Sequence, residues 1–140
     1  NTLVCETYFN LLPPMVTELT TLRELCVDNN GLKRLPPNIG RLSRLEKFSL
    51  YDNDLEAPFD KMWRRDKTGR LCMQWLCPSM EELDLSNLGI AELPPEFCEM
   101  TNLRTLALSG NELRRLPYGF GKLRRLEEPR RKQLLVRTHQ

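Results

Sequence analysis

Residues Leu103–Leu123 read LRTLALSGNELRRLPYGFGKL. Leucines stand at 103, 106, 108, 113, 116 and 123, with Asn111 and Phe120 between them. The Leu106-Ala107-Leu108 step alternates in and out, the pattern of a short strand with one buried face. Leu116-Pro117 imposes an extended entry, after which a helix or 3₁₀ turn can begin. A strand this short cannot bury its apolar side alone, so the stretch predicts a stack of similar units.

Those units occur earlier in the chain. Leu-Pro-Pro stands at 12–14, 35–37 and 93–95; 23 residues separate Leu12 from Leu35 and Leu93 from Leu116. One block carries Leu22, Leu25, Val27, Asn30, Leu32, Leu35, Ile39 and Leu42; the next carries Leu45, Phe48, Leu50, Asn53 and Leu55. A third carries Met80, Leu83, Leu85, Ile90, Leu93, Phe97 and Met100. Strands are expected at 25–27, 48–50, 83–85 and 106–108, and short convex helices at 37–43, 95–101 and 118–124. Asn30, Asn53 and Asn111 are expected to turn inward and satisfy backbone groups of their own turn and of the next coil. Leu88 occupies the corresponding place in the third block, with Asn87 one position early, which predicts an interruption. The second block is irregular too: Leu45 to Met80 is 35 residues, and Pro58 stands at the Leu-Pro position.

The pattern resembles the leucine-rich repeat family, whose core reads LxxLxLxxNxL. Its LPxxI-type second half is similar to the 23-residue intracellular subclass found in Ras suppressor protein, Erbin, Scribble and the plant Ras-group repeat proteins. The resemblance implies an α/β fold: a right-handed solenoid with a parallel β-sheet on the concave face and short helices or 3₁₀ turns on the convex face. It covers roughly residues 10–125. The expected organisation is a repeat domain at 1–125, with four full repeats from Leu22 and a partial repeat before them, an insertion within 58–79, and a basic tail at 126–140. On a strict 23-residue frame, Val4, Phe9, Leu12, Val16 and Leu19 form the tail of an earlier unit. Pro129 and Arg131 occupy apolar positions at the far end. Two readings of the start stay open: a fragment of a longer protein, or a worn first repeat that serves as its own cap.

The chain has 140 residues, one domain's worth, and a formal net charge of +2. Residues 1–113 carry 12 Lys or Arg against 17 Asp or Glu, whereas residues 114–140 carry 9 against 2. No apolar run is long enough to span a membrane. Five cysteines, an odd number without a flanking cluster, point to reduced thiols and a cytosolic or nuclear compartment, with a cytoplasmic setting expected. Cys72 and Cys77 have no accompanying His or third Cys, so no metal is expected. The single histidine is His139. No nucleophile–base pair and no phosphate-binding glycine loop is apparent, so neither catalysis nor a cofactor is expected.

Three places remain where function could reside. The outward residues of the strands and their flanks include Glu24, Asp28, Tyr51, Asp52, Glu82 and Asp84. An acidic surface with an aromatic anchor suits a basic protein segment. The family's usual use of its concave face assigns partner binding to these positions by resemblance. Within 58–79, Trp63, Arg65 and Trp75 offer a second interface, with Asp66-Lys67-Thr68-Gly69 as a turn between paired strands; packing of the two tryptophans onto their own domain is the competing reading. The basic end, from Arg114 to Arg137, could meet an anionic partner. It lacks aromatic interleaving, and nucleic acid is not expected.

These readings converge on a non-enzymatic protein-interaction module or scaffold in intracellular signalling. By resemblance, its partner could belong to a Ras-like GTPase pathway. The alternative is a recognition or regulatory fragment of a larger enzyme such as a kinase, a phosphatase complex or a ubiquitin ligase. A purely structural fragment is the third possibility.

Overall fold

The structure, a computed structural model, describes residues 2–4, 12, 14–28, 31–33, 39, 41–53, 79–93 and 95–127. Five three-residue strands form one sheet: β1 Thr2–Val4, β2 Glu24–Cys26, β3 Lys47–Ser49, β4 Glu82–Asp84 and β5 Thr105–Ala107. They lie side by side in chain order, and every pairing is parallel. The register aligns Leu3, Leu25, Phe48, Leu83 and Leu106 as one inward row. Each strand is centred one residue earlier than its sequence pattern places it. The leucine or phenylalanine is the middle residue, and Val27, Leu50, Leu85 and Leu108 follow the strand as a second buried row.

β1 corrects the placing of Val4, while Leu12 and Val16 are buried as expected and Phe9 lies outside the described residues. Leu3 pairs with Leu25 at a spacing of 22, one less than the period. Leu3 to Leu12 is nine residues, whereas Leu25 to Leu35 and Leu106 to Leu116 are ten, so one residue is missing between Leu3 and Leu12. A slip of one in a strand exchanges its two faces. Leu3, not Val4, therefore points inward, and Val4 is 55 % exposed. Leu19 is 46 % exposed although Leu42, its equivalent, is fully buried.

Among the described residues the convex side carries 3₁₀ turns at Pro14–Glu18, Pro95–Glu99 and Phe120–Lys122, and no α-helix. The turns over 95–101 and 118–124 thus form, but shorter and tighter. Their closing bonds recur at one place per coil: Leu19 N to Val16 O and Leu42 N to Ile39 O at 3.1 Å, Met100 N to Phe97 O at 3.3 Å and Leu123 N to Phe120 O at 3.1 Å. Spacing explains the preference. Parallel strands stack at about 4.8 Å, whereas an α-helix with its side chains is about 10 Å across. Slim 3₁₀ turns let the convex side keep pace with the sheet. Ile39 and Phe97 plug the space behind them, both fully buried.

The core is one continuous column from Leu12 to Leu126. Leu126, assigned to the tail by the sequence reading, is buried in it, and Glu127 N donates to Arg104 O at 3.1 Å. Asn53 and Asn111 turn inward as expected, but each reaches back to the preceding coil rather than forward to the next. Leu88 is buried in the same position without an amide. Asn30, the helix expected at 37–43 apart from Ile39 and 41–43, and the insertion at 58–79 apart from Ser79 lie outside the described residues.

Candidate functional site on the strand face

Because side chains alternate along a strand, the residues flanking each inward leucine face out together. The register assembles them into two rows across the sheet. One reads Thr2, Glu24, Lys47, Glu82, Thr105; the other Val4, Cys26, Ser49, Asp84, Ala107. Together they floor a shallow concavity of about 450 Å³.

The first row is linked by contact. Thr2 Oγ1 donates to Glu24 Oε2 at 2.7 Å. Lys47 Nζ lies 3.3 Å from Glu24 Oε1 and 3.4 Å from Glu82 Oε2, a bridge between two carboxylates on neighbouring strands. The Thr2 hydroxyl and then Lys47 hold the Glu24 carboxyl below its ordinary range. The Glu24 hydrogen bond, reinforced by the charge of Glu82, raises the Lys47 ammonium above its ordinary value. These groups are solvated, and screened surface pairs stabilise a fold little. They place the lysine at the centre of the row, between the two glutamates.

The predicted acids divide into two kinds. Asp28 Oδ1 accepts from the Ser49 hydroxyl and from Tyr51 N at 3.0 Å, so it ties its coil to the next. Asp84 Oδ1 accepts from Ser86 N at 2.9 Å, capping its own turn. Both are half-buried and occupied by the scaffold. Glu82 and Asp52 are exposed, and Asp52 sits at the mouth of the turn with φ of +57°. Glu24 and Tyr51 are half-buried beside them. The structure brings Glu24, Glu82 and Asp84 together on the strand rows and sets Asp28, Tyr51 and Asp52 along their rim. Trp63, Arg65 and Trp75 lie outside the described residues.

Lys47 is the functional candidate that the acidic bias obscured; its place in the row was legible, but its position between two acids needed the register. Thr2 and Val4 were missed for a different reason, the absent residue before Leu12. The nine-residue Leu3–Leu12 spacing was the available signal.

The rim repeats as well. Asp52, Asn87 and Gly110 occupy equivalent positions and all have positive φ. Asp52 N donates to Ser86 O, and Asn87 N to Ser109 O, each at 3.0 Å. The left-handed conformation aims these amides at the next coil, and Asp, Asn and Gly are the residues that adopt it readily. On the opposite edge Arg23 pairs with Glu46 at 4.0 Å and Arg104 with Glu81 at 3.7 Å. The basic end is exposed at Arg114, Arg115, Lys122, Arg124 and Arg125, and Arg125 Nη1 donates to Asn102 Oδ1 at 3.0 Å. No group of His, Cys, Asp and Glu among the described residues could hold a metal ion. No helix among them is long and apolar enough to cross a membrane.

Comparison with known proteins agrees with this geometry. Residues 102–123 match the model of the Leucine Rich Repeat family. The chain is 33 % identical over 108 residues to plant intracellular Ras-group-related LRR protein 8 of rice, covering 77 % of this chain and 26 % of that protein. It is 32 % identical over 115 residues to the flightless-1 homolog of Caenorhabditis elegans, covering 79 % of this chain and 8 % of that one. Against mouse leucine-rich repeat serine/threonine-protein kinase 1 the identity is 31 % over 97 residues, covering 69 % and 4 %. A solved LRR protein of Leptospira interrogans superposes with a TM-score of 0.57 at 26 % identity, over 84 % of this chain and 33 % of that one. The chain therefore spans a minor part of each of these proteins.

Proposed function

Since this chain belongs to the leucine-rich repeat family, we propose that it is a non-enzymatic interaction module that docks a partner protein on its concave strand face. The observation that carries the reading is the five-strand sheet, which presents two unbroken rows of outward side chains across the array. Solenoids use such extended surfaces for binding. Glu82 and Asp52 are the exposed acids a basic partner segment would meet, with Glu24 and Tyr51 beside them, while Asp28 and Asp84 hold the surface in shape. The similarity to a plant intracellular Ras-group-related protein supports a cytoplasmic signalling role and a partner from a Ras-like GTPase pathway.

A second reading rests on extent. The chain covers 4 % of a mouse serine/threonine-protein kinase, which supports a recognition unit within a larger enzyme. In both readings the concave face does the binding. The domain is proposed to run through the last buried repeat position, with the basic tail beyond it open to an anionic partner.

The test is capture from a cell lysate by the wild type and by a Glu82→Lys, Asp52→Asn variant with an unchanged circular dichroism spectrum. Partners held by the wild type and lost by the variant support the concave face. Partners held equally by both overturn it.

A further inference from the structure

We propose that the concave face selects a partner helix lying across the strands with a cation–anion–cation pattern at positions i, i+3 or i+4, and i+7. This rests on the concave-face reading above and specifies the chemistry of its partner.

The argument starts from the first outward row. Lys47 is held between Glu24 and Glu82 at 3.3 and 3.4 Å, so the row presents negative, positive and negative charge on three consecutive strands. Strands stack at about 4.8 Å, which puts the two glutamates about 10 Å apart with the lysine midway. A helix rises about 10.5 Å from i to i+7, and i, i+3 or i+4, and i+7 share one face. An extended segment does not match. Its residues about 10 Å apart are i and i+3, which point to opposite sides. The neighbouring row carries Cys26, Ser49, Asp84 and Ala107 on the same strands and the next, none of them a long side chain, leaving room for the body of a helix.

Lys47 is the specificity determinant. Glu82, Asp84 and Asp52 give the face an acidic field that draws any basic segment. A wholly basic helix would nevertheless set a cation against Lys47 at close range, where like charges oppose docking. A carboxylate there would meet the ammonium, while its flanking cations meet Glu24 and Glu82.

The test is selection from a displayed library of helical peptides in which the three positions are randomised among Lys, Glu and Gln. The baits are the wild type, Lys47→Glu, Lys47→Gln and the double variant Glu24→Lys/Glu82→Lys, each confirmed folded by circular dichroism. The wild type is expected to enrich Lys–Glu–Lys helices about tenfold over Lys–Lys–Lys. Lys47→Glu should reverse that preference, Lys47→Gln should abolish selection at the central position, and the double variant should lose the selected helices. Wild-type helices that the double variant loses, but with Lys or Gln at the centre, would overturn the pattern and leave the concave reading standing. Selected helices retained by the double variant, or no selected helices at all, would overturn the pattern; retention would also count against the concave face.

Discussion

The side-chain amide of Asn111 donates to the carbonyl of Leu85, one coil back in the array, at 2.8 Å. It also donates to Leu108 O at 2.9 Å, and its oxygen accepts from Leu88 N and Ile90 N, both at 3.0 Å. Every donor and acceptor site of the amide is used, and all four bonds are buried. Asn53 repeats the arrangement with Val27 O, Leu50 O and Leu32 N, each at 2.9 Å. Removing the side chain leaves backbone groups of two coils unsatisfied. Asn111→Ala should lower unfolding free energy by on the order of 3 kcal/mol, read by urea denaturation. A loss under about 1 kcal/mol would mean that water replaces the amide.

Leu106 is 1 % exposed in the inward row, whereas Leu19 is 46 % exposed. Leu106→Ala should cost roughly 2–5 kcal/mol through lost burial and the cavity left behind. Leu19→Ala should stay within about 1 kcal/mol, as surface substitutions usually do. Equal denaturation midpoints for the two variants would contradict the register.

Gly31 and Gly110 both have positive φ, +63° and +72°. A Cβ at Gly31 meets open space, but at Gly110 it collides with Asn87 Oδ1. Gly31→Ala should therefore cost about 1–2 kcal/mol from conformation alone. Gly110→Ala should cost more, because Asn87 must also move. Thermal melts of the two variants give the order, and the reverse order would refute the rim packing.

The depressed Glu24 carboxyl has a definite sign in the pH dependence of stability. A group whose pKa falls on folding contributes fully above its unfolded value and loses that contribution as pH falls through the folded one. The stability difference between the wild type and Glu24→Gln should be present at pH 7 and vanish in acid. It should also shrink in high salt. A difference constant from pH 7 to pH 3 would show that the Thr2–Glu24–Lys47 contacts do not persist in solution.

Neither Cys26 nor Cys98 is in a disulfide. Cys98 is buried, its thiol lies 3.8 Å from Tyr118 O, and burial pushes its pKa up. Thiolate is the reactive form. Mass spectrometry of the alkylated native protein at neutral pH should show Cys98 reacting more slowly than the half-buried Cys26. The opposite order would mean that the turn over Cys98 opens readily.

The recurrence of Leu106, Leu108, Asn111 and Leu116 pointed to a stack of similar units, because so short a strand cannot bury its apolar side alone, and the resemblance it carried supplied the parallel sheet. The same spacing located the inward asparagines and the interruption at Leu88. The one-residue deficit before Leu12 was also written there, but a frame anchored at Leu22 reads through it and exchanges the faces of β1.

The state of the surface was a different matter. Asp28, Asp84, Glu24 and Glu82 are equivalent acids in a linear reading. Stacking converts Asp28 into a tie to Ser49 and Tyr51 and sets Lys47 between the two glutamates, whereas Asp84 caps its own turn at Ser86 N. Burial in the repeats from Leu22 onward follows from periodicity along one chain, so sequence determines it there. Which charges meet depends on residues 23 to 35 positions apart coming within about 4 Å, and only the register of neighbouring coils brings them there.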